Sequence, residues 1–190
     1  MSKKDVRKHV VFLDMDGVLA DFDGAISVHM QDPPEMFEPG FFRNLKVMPG
    51  AKEGVQALLE NPRLKVYIGT KHTTKTDYSP SEKVGWVREH FPALLKKMFI
   101  VTDKYLLRGE FLVDDDLRWQ KFPGKFIHFD KTKPESEWKR VVQYFKDNEK
   151  DLMDPTEKAE LAYECCQRTS ELNRKLCEIG VCIHKEHQKP

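Results

Sequence analysis

The sequence predicts an α/β fold: a parallel sheet between layers of helices, with a small helical insertion and a C-terminal helical extension. Three observations carry this. Short apolar runs suited to strands alternate with segments of helical periodicity. The first run, Val10-Val11-Phe12-Leu13, is apolar at every position, as in a strand covered on both faces. Roughly the last forty residues lose the strand signal and repeat apolar positions at helical spacing instead.

Each element follows in order. After the first strand, residues 23–48 hold His29, the Pro33-Pro34 pair and several aromatics, with room for only short helices, and read as an insertion covering one end of the sheet. Pro49-Gly50 opens a helix with Val55, Leu58 and Leu59 on one face, and Asn61-Pro62 ends it. Lys65–Ile68 is the second strand. Ser79-Pro80-Ser81-Glu82 has the form of a capping box, and Val84, Val87 and Phe91 follow on one helix face. Met98–Val101, Glu110–Val113 and Lys125–His128 supply three more strands. A helix from near Pro134 places Trp138, Val141, Val142 and Phe145 on one side. Asp154-Pro155-Thr156-Glu157 then starts a long helix whose stripe of Leu161, Cys165, Leu172, Leu176 and Ile179 packs on the core or on a second subunit of a homodimer. The division expected is a core of residues 1–150 and an extension of residues 151–190.

Composition narrows the function. With 39% hydrophobic residues, 12 of them Phe, 190 residues can build a substantial core. Basic and acidic residues nearly cancel, 32 against 31, so no electrostatic bias recommends nucleic acid or an anionic membrane. No apolar run is long enough to span a bilayer, and all four cysteines lie after residue 164, which points to a cytoplasmic protein with reduced thiols. Cys177, Cys182, His184 and His187 have the composition of a zinc site but not its spacing of ligand pairs, so thiols buried on a helix are the better reading for this tail.

Chemistry concentrates at strand ends. The first strand runs into Asp14-Met15-Asp16-Gly17, where Gly17 permits a positive φ or a close backbone approach. Gly69-Thr70-Lys71 follows the second strand and offers a hydroxyl and amide groups to phosphate oxygens. Lys83 stands near the start of a helix, whose dipole favours an anion. Asp114-Asp115-Asp116 follows the fourth strand with carboxylates suited to a divalent ion. Singly, each is an ordinary turn, a solvated lysine or a solubilising loop. Jointly, at the carboxyl ends of successive strands, they describe a metal-assisted phosphate site.

This order resembles the four motifs of the haloacid dehalogenase (HAD) superfamily of phosphohydrolases. More narrowly, the chain is similar to the 5'(3')-deoxyribonucleotidases through Asp14-Met15-Asp16-Gly17-Val18-Leu19-Ala20-Asp21-Phe22, Phe41-Phe42, Met48-Pro49-Gly50-Ala51, Tyr78-Ser79-Pro80-Ser81-Glu82-Lys83, Trp86-Val87 and Leu112-Val113-Asp114-Asp115, over about residues 9–145. The resemblance implies a HAD-like Rossmannoid three-layer fold and an Mg²⁺-dependent nucleoside monophosphate phosphatase. By it, Asp14 is the nucleophile and Asp16 the general acid and base. Mg²⁺ is held by Asp14, the Asp16 carbonyl and Asp114, with Asp115 supporting them. Thr70, Lys71 and Lys83 bind phosphate, and Phe22, Phe41 and Phe42 form the base pocket.

Two positions depart from the pattern: Lys71 stands where serine is usual, and Asp116-Leu117 where a basic residue and proline often follow the paired aspartates. They leave open a different small phosphomonoester or a polynucleotide end as substrate. A binding or assembly module is disfavoured, because binding alone needs neither nucleophile nor acid.

Overall fold

The computed structural model describes residues 8–30, 33–153 and 158–159. Among these residues, seven strands and three α-helices run in the order β1 (His9–Leu13), β2 (Ala20–Asp21), β3 (Lys46–Val47), α1 (Ala51–Glu60), β4 (Leu64–Lys71), α2 (Ser79–His90), β5 (Met98–Val101), β6 (Phe111–Asp114), β7 (Lys125–His128) and α3 (Pro134–Asp147). Five of the strands form one parallel sheet in the order β5-β4-β1-β6-β7. This is an α/β Rossmannoid arrangement.

The all-apolar run becomes the central strand, where Val11 and Leu13 are fully buried beside Val66, Ile68 and Val113. Phe12, which points to the opposite face, is buried as well, so both faces of the strand are covered and alternation is absent from its sequence. The chain winds outward from β1 through β4 to β5 and then returns to the other side for β6 and β7. The reversal lies at β1, and in such sheets a crevice opens at the carboxyl ends of the strands there.

The helices are pinned by their tryptophans. α1 packs on α3, and the missing side chain of Gly54 admits the ring of Trp138, against which a Cβ would collide. The Trp138 indole also donates to the Val18 carbonyl at 3.2 Å. In α2, Trp86 is fully buried and donates to the Leu45 carbonyl at 2.7 Å, tying helix to insertion.

Several details differ from expectation. The insertion holds three single-turn 3-10 helices, Asp23–Ala25, Pro34–Phe37 and Phe42–Asn44, as its composition implied. It is also closed at its base by a two-residue antiparallel ladder, Ala20↔Val47 and Asp21↔Lys46, too short to show alternation. The capping box does not form. Tyr78 occupies the cap position, and the Ser79 hydroxyl is buried without a partner. The Glu82 carboxylate turns away to accept the amides of Gly40 at 2.6 Å and Phe42 at 3.1 Å in the insertion. The buried residues of α2 are Ser79, Lys83, Gly85, Trp86 and Val87; Val87 and, just past the helix, Phe91 are buried as expected, whereas Val84 is only half-buried. β4 extends through Thr70 and Lys71, which are strand residues and not loop.

The chain divides into two units, Met1–Asp147 and Asn148–Pro190. In the second, Glu149–Leu152 forms a single 3-10 turn. The long C-terminal helix expected from the sequence, apart from residues 158–159, and the tail with Cys165, Cys166, Cys177, Cys182, His184 and His187 lie outside the described residues.

Candidate active site

The three middle strands converge on one point. Asp14 is the first residue beyond β1, Asp114 the last of β6 and Thr70 the last but one of β4. All three are buried. The Asp14 amide donates to the Val113 carbonyl at 2.9 Å and continues the pairing of β1 with β6, while its carboxylate accepts the Met15 amide at 2.7 Å. Gly17 has φ +80°, the left-handed region that a side chain resists. A Cβ there would sit 2.6 Å from the Asp115 carboxyl carbon, so Gly17 serves both the turn and the close approach of Asp115.

Two buried lysines hold the carboxylates. The Lys83 ammonium pairs with the Asp16 carboxylate and donates to the Thr70 hydroxyl at 3.0 Å and the Lys71 carbonyl at 2.7 Å. It also lies 4.9 Å from the centre of the Phe42 ring. The Lys104 ammonium bridges Asp14 at 2.7 Å and Asp114 at 2.6 Å. Lys131 pairs with Asp115 at 3.0 Å.

Negative charge still predominates. Asp14, Asp114 and Asp115 each offer an oxygen within 4.8 Å of the others. Burial, reinforced by Asp14 and opposed by Lys104, pushes the Asp114 carboxyl up to about 8. Burial and Asp14, against Lys131, push Asp115 up to about 6. Burial also raises Asp16, against the pull of Lys83. For Lys104, burial works to lower the pKa, but Asp14 and Asp114 together hold it above the ordinary lysine value. Three crowded carboxylates, two sharing Lys104 and the third held by Lys131, are a donor set that a hard divalent cation satisfies.

A cavity of about 1230 Å³ opens over this cluster. Asp14, Asp16, Lys83, Lys104 and Asp115 line its floor, while Phe22 and Phe42 stand in its wall and Lys71 at its side. Asp114 and Thr70 are not in the lining: they reach the cavity through Lys104 and Lys83, to which they are bonded. Phe41 does not line it either. That ring packs edge-on against Phe22 at 5.3 Å and Phe42 at 5.1 Å and supports the wall from behind.

A family model for "5' nucleotidase, deoxy (Pyrimidine), cytosolic type C protein" matches residues 34–149. The chain belongs to this 5' nucleotidase family. The matched stretch contains Thr70, Lys83, Lys104, Asp114 and Asp115, whereas Asp14 and Asp16 precede it. A Staphylococcus aureus protein provisionally named a 5'(3')-deoxyribonucleotidase is 36% identical over 141 residues, which cover 69% of this chain and 73% of that protein. The human cytosolic-type 5'(3')-deoxyribonucleotidase is 28% identical over 139 residues, 55% of this chain and 69% of its own. A haloacid dehalogenase-like hydrolase from Xanthomonas campestris aligns structurally over 76% of this chain with a TM-score of 0.47 at 14% identity. As a member of the 5' nucleotidase family the protein is a phosphoric monoester hydrolase. No helix among the described residues is long and apolar enough to cross a membrane.

Lys104 and Lys131 are the site residues that the sequence reading missed. Both follow strands of the same sheet, Lys104 three residues after β5 and Lys131 three after β7. The available signal was positional, since every parallel strand of such a sheet ends at the same edge.

Proposed function

We propose that the protein is an Mg²⁺-dependent phosphatase of nucleoside monophosphates, with deoxyribonucleotides preferred, acting through an aspartyl-phosphate on Asp14. The observation that carries this reading is the pairing of two differently placed carboxylates. Both line the cavity, but Asp14 is held by Lys104 and the Met15 amide, whereas Asp16 keeps one carboxylate oxygen, Oδ1, buried and without a partner.

The Asp14 carboxylate oxygen attacks phosphorus in line with the ester oxygen, forming the acyl-phosphate bond as the ester P–O bond breaks. Asp16, held towards its protonated form by burial, gives its proton to the departing nucleoside oxygen. The resulting Asp16 carboxylate takes a proton from water, which attacks phosphorus and releases phosphate and Asp14. Lys83, oriented by Thr70 and the Lys71 carbonyl, neutralises phosphate oxygens and stabilises the charge spread over them. Lys71 adds a cation at the side of the cavity. Asp14, Asp114 and the Asp16 carbonyl would hold the metal, with Asp115 behind them. Bound there, Mg²⁺ supplies charge neutralisation between carboxylate and phosphate.

Phe22 and Phe42 receive the base, and Phe41 braces them. Stacking of this kind is worth about 1–3 kcal/mol per base. The preference for deoxyribonucleotides rests on the names of the relatives. The test is phosphate release, with and without Mg²⁺, from deoxy- and ribonucleoside monophosphates, sugar phosphates and a phosphorylated oligonucleotide. Deoxynucleotides are expected to turn over fastest, and absence of release from any nucleotide in the presence of Mg²⁺ overturns the reading.

A further inference from the structure

Lys131 carries two attachments that the proposed chemistry does not use. Its ammonium lies 3.0 Å from Asp115 Oδ2 and also 2.9 Å from Asp23 Oδ2 and 3.1 Å from Asp23 Oδ1. Asp115 belongs to the carboxylate cluster, and Gly17 fixes its position. Asp23 opens the first turn of the insertion, directly after Phe22 in the cavity wall. Lys131 is itself anchored in a turn ahead of α3, where the Asp130 amide donates to Glu137 at 3.1 Å and the Thr132 amide to Asp130 at 3.0 Å. One cation on a fixed base therefore joins the acidic cluster to the segment that carries Phe22.

We propose that Lys131 is a positioning residue that couples occupancy of the carboxylate cluster to the placement of the insertion at Phe22 and Asp23. This rests on the reading of the cluster as a divalent-cation site. A cation at the cluster and the Lys131 ammonium compete for Asp115. Binding of Mg²⁺ weakens the hold of Asp115 on Lys131 and leaves its charge to Asp23, which draws the insertion towards the core. By linkage, any change in the Asp23–Lys131 pair returns as a change in cation affinity. A residue that merely stabilised the fold would not produce shifts of opposite sign when Lys131 and Asp23 are each neutralised.

Two measurements on the full chain test this. In metal-free protein, amide hydrogen exchange over residues 22–26 is expected to quicken about fivefold or more in Lys131→Met, Lys131→Gln and Asp23→Asn, and to stay near wild type in Lys131→Arg. In calorimetric titration with Mg²⁺ alone, Lys131→Met is expected to bind about fivefold tighter, since a competitor is gone. Asp23→Asn is expected to bind more weakly, since Lys131 then leans wholly on Asp115. Unchanged exchange in both neutral Lys131 variants overturns the proposal, as does an Mg²⁺ affinity that does not move or that moves the same way in Lys131→Met and Asp23→Asn. The nucleotidase reading fails separately, through absence of phosphate release while the exchange and titration shifts are as expected.

Discussion

Lys83 and Lys104 divide the neutralising charge of the site, and the division sets what each substitution does. Both line the cavity, but Lys104 bridges Asp14 to Asp114 beneath the floor, whereas Lys83 pairs with Asp16. Lys83→Met removes the cation proposed to bind the phosphate, and kcat is expected to fall by about 10²-fold or more while the protein stays folded. Activity within a few-fold of wild type would remove Lys83 from the machinery. Asp16→Asn is expected to lower kcat for nucleotides by about 10²–10⁴-fold. It should spare p-nitrophenyl phosphate, whose leaving group needs no proton, and an equal loss on both substrates would contradict the acid role. Phe22→Ala is expected to raise KM for a deoxynucleotide about tenfold, in line with one lost stacking contact. The carboxylates were legible in the sequence because Asp14, Asp16, Asp114 and Asp115 come in tight local patterns after apolar runs. Lys104 and Lys131 were not, because in a chain with 32 basic residues a lysine in a loop reads as solvated surface. Only the strand order that brings both loops to one edge distinguishes them.

At the level of elements, α2 does more than cover the sheet. Its first turns present Lys83 to the cavity and Glu82 to the insertion, so one helix registers the lysine that holds Asp16 against the aromatic wall. The capping-box pattern concealed this, because the same Ser and Glu spacing serves either the helix's own amides or amides elsewhere, and local sequence cannot choose between them. The five sheet strands were legible through composition and length, and α1 and α3 through their apolar faces. The two-residue ladder at the base of the insertion left no periodic trace. Gly54 shows the same dependence on distant packing. Alanine there would gain about 1 kcal/mol of helix propensity. Its methyl group meets the Trp138 ring, however, and overpacking of this kind costs about 1–3 kcal/mol. Gly54→Ala is therefore expected to lower Tm in thermal unfolding, and a raised Tm would show that α1 and α3 can separate without cost.

For the molecule as a whole, the acidic cluster makes stability depend on pH and on metal together. Asp114 and Asp115 have an ordinary value of 3.8 and are pushed up to about 8 and about 6 in the folded protein. Between these values the native state keeps protons that the unfolded chain has released, so its stability falls as pH rises through the window. Lys104, raised above 10.5, stays charged throughout and adds no slope. Tm of metal-free protein is expected to decline from about pH 4 to pH 8, and Mg²⁺ to flatten the decline by replacing the protons. A Tm that rises over this range without metal would contradict the shifts.

The central position of β1 also bears on how the chain reaches this state. β1 precedes both of its partners: it pairs with β4 from His9↔Leu64 to Leu13↔Ile68, and with the later-made β6 through Val11↔Phe111, Phe12↔Leu112 and Leu13↔Val113. The segment that bears Asp14 is thus an early-made, largely apolar strand that waits for most of the core to be synthesised. Loops of this length close slowly, and an unpaired strand invites association with other chains meanwhile. Any fragment ending before β6 lacks one wall of β1 as well as Asp114, and its expected fate is aggregation rather than reduced activity.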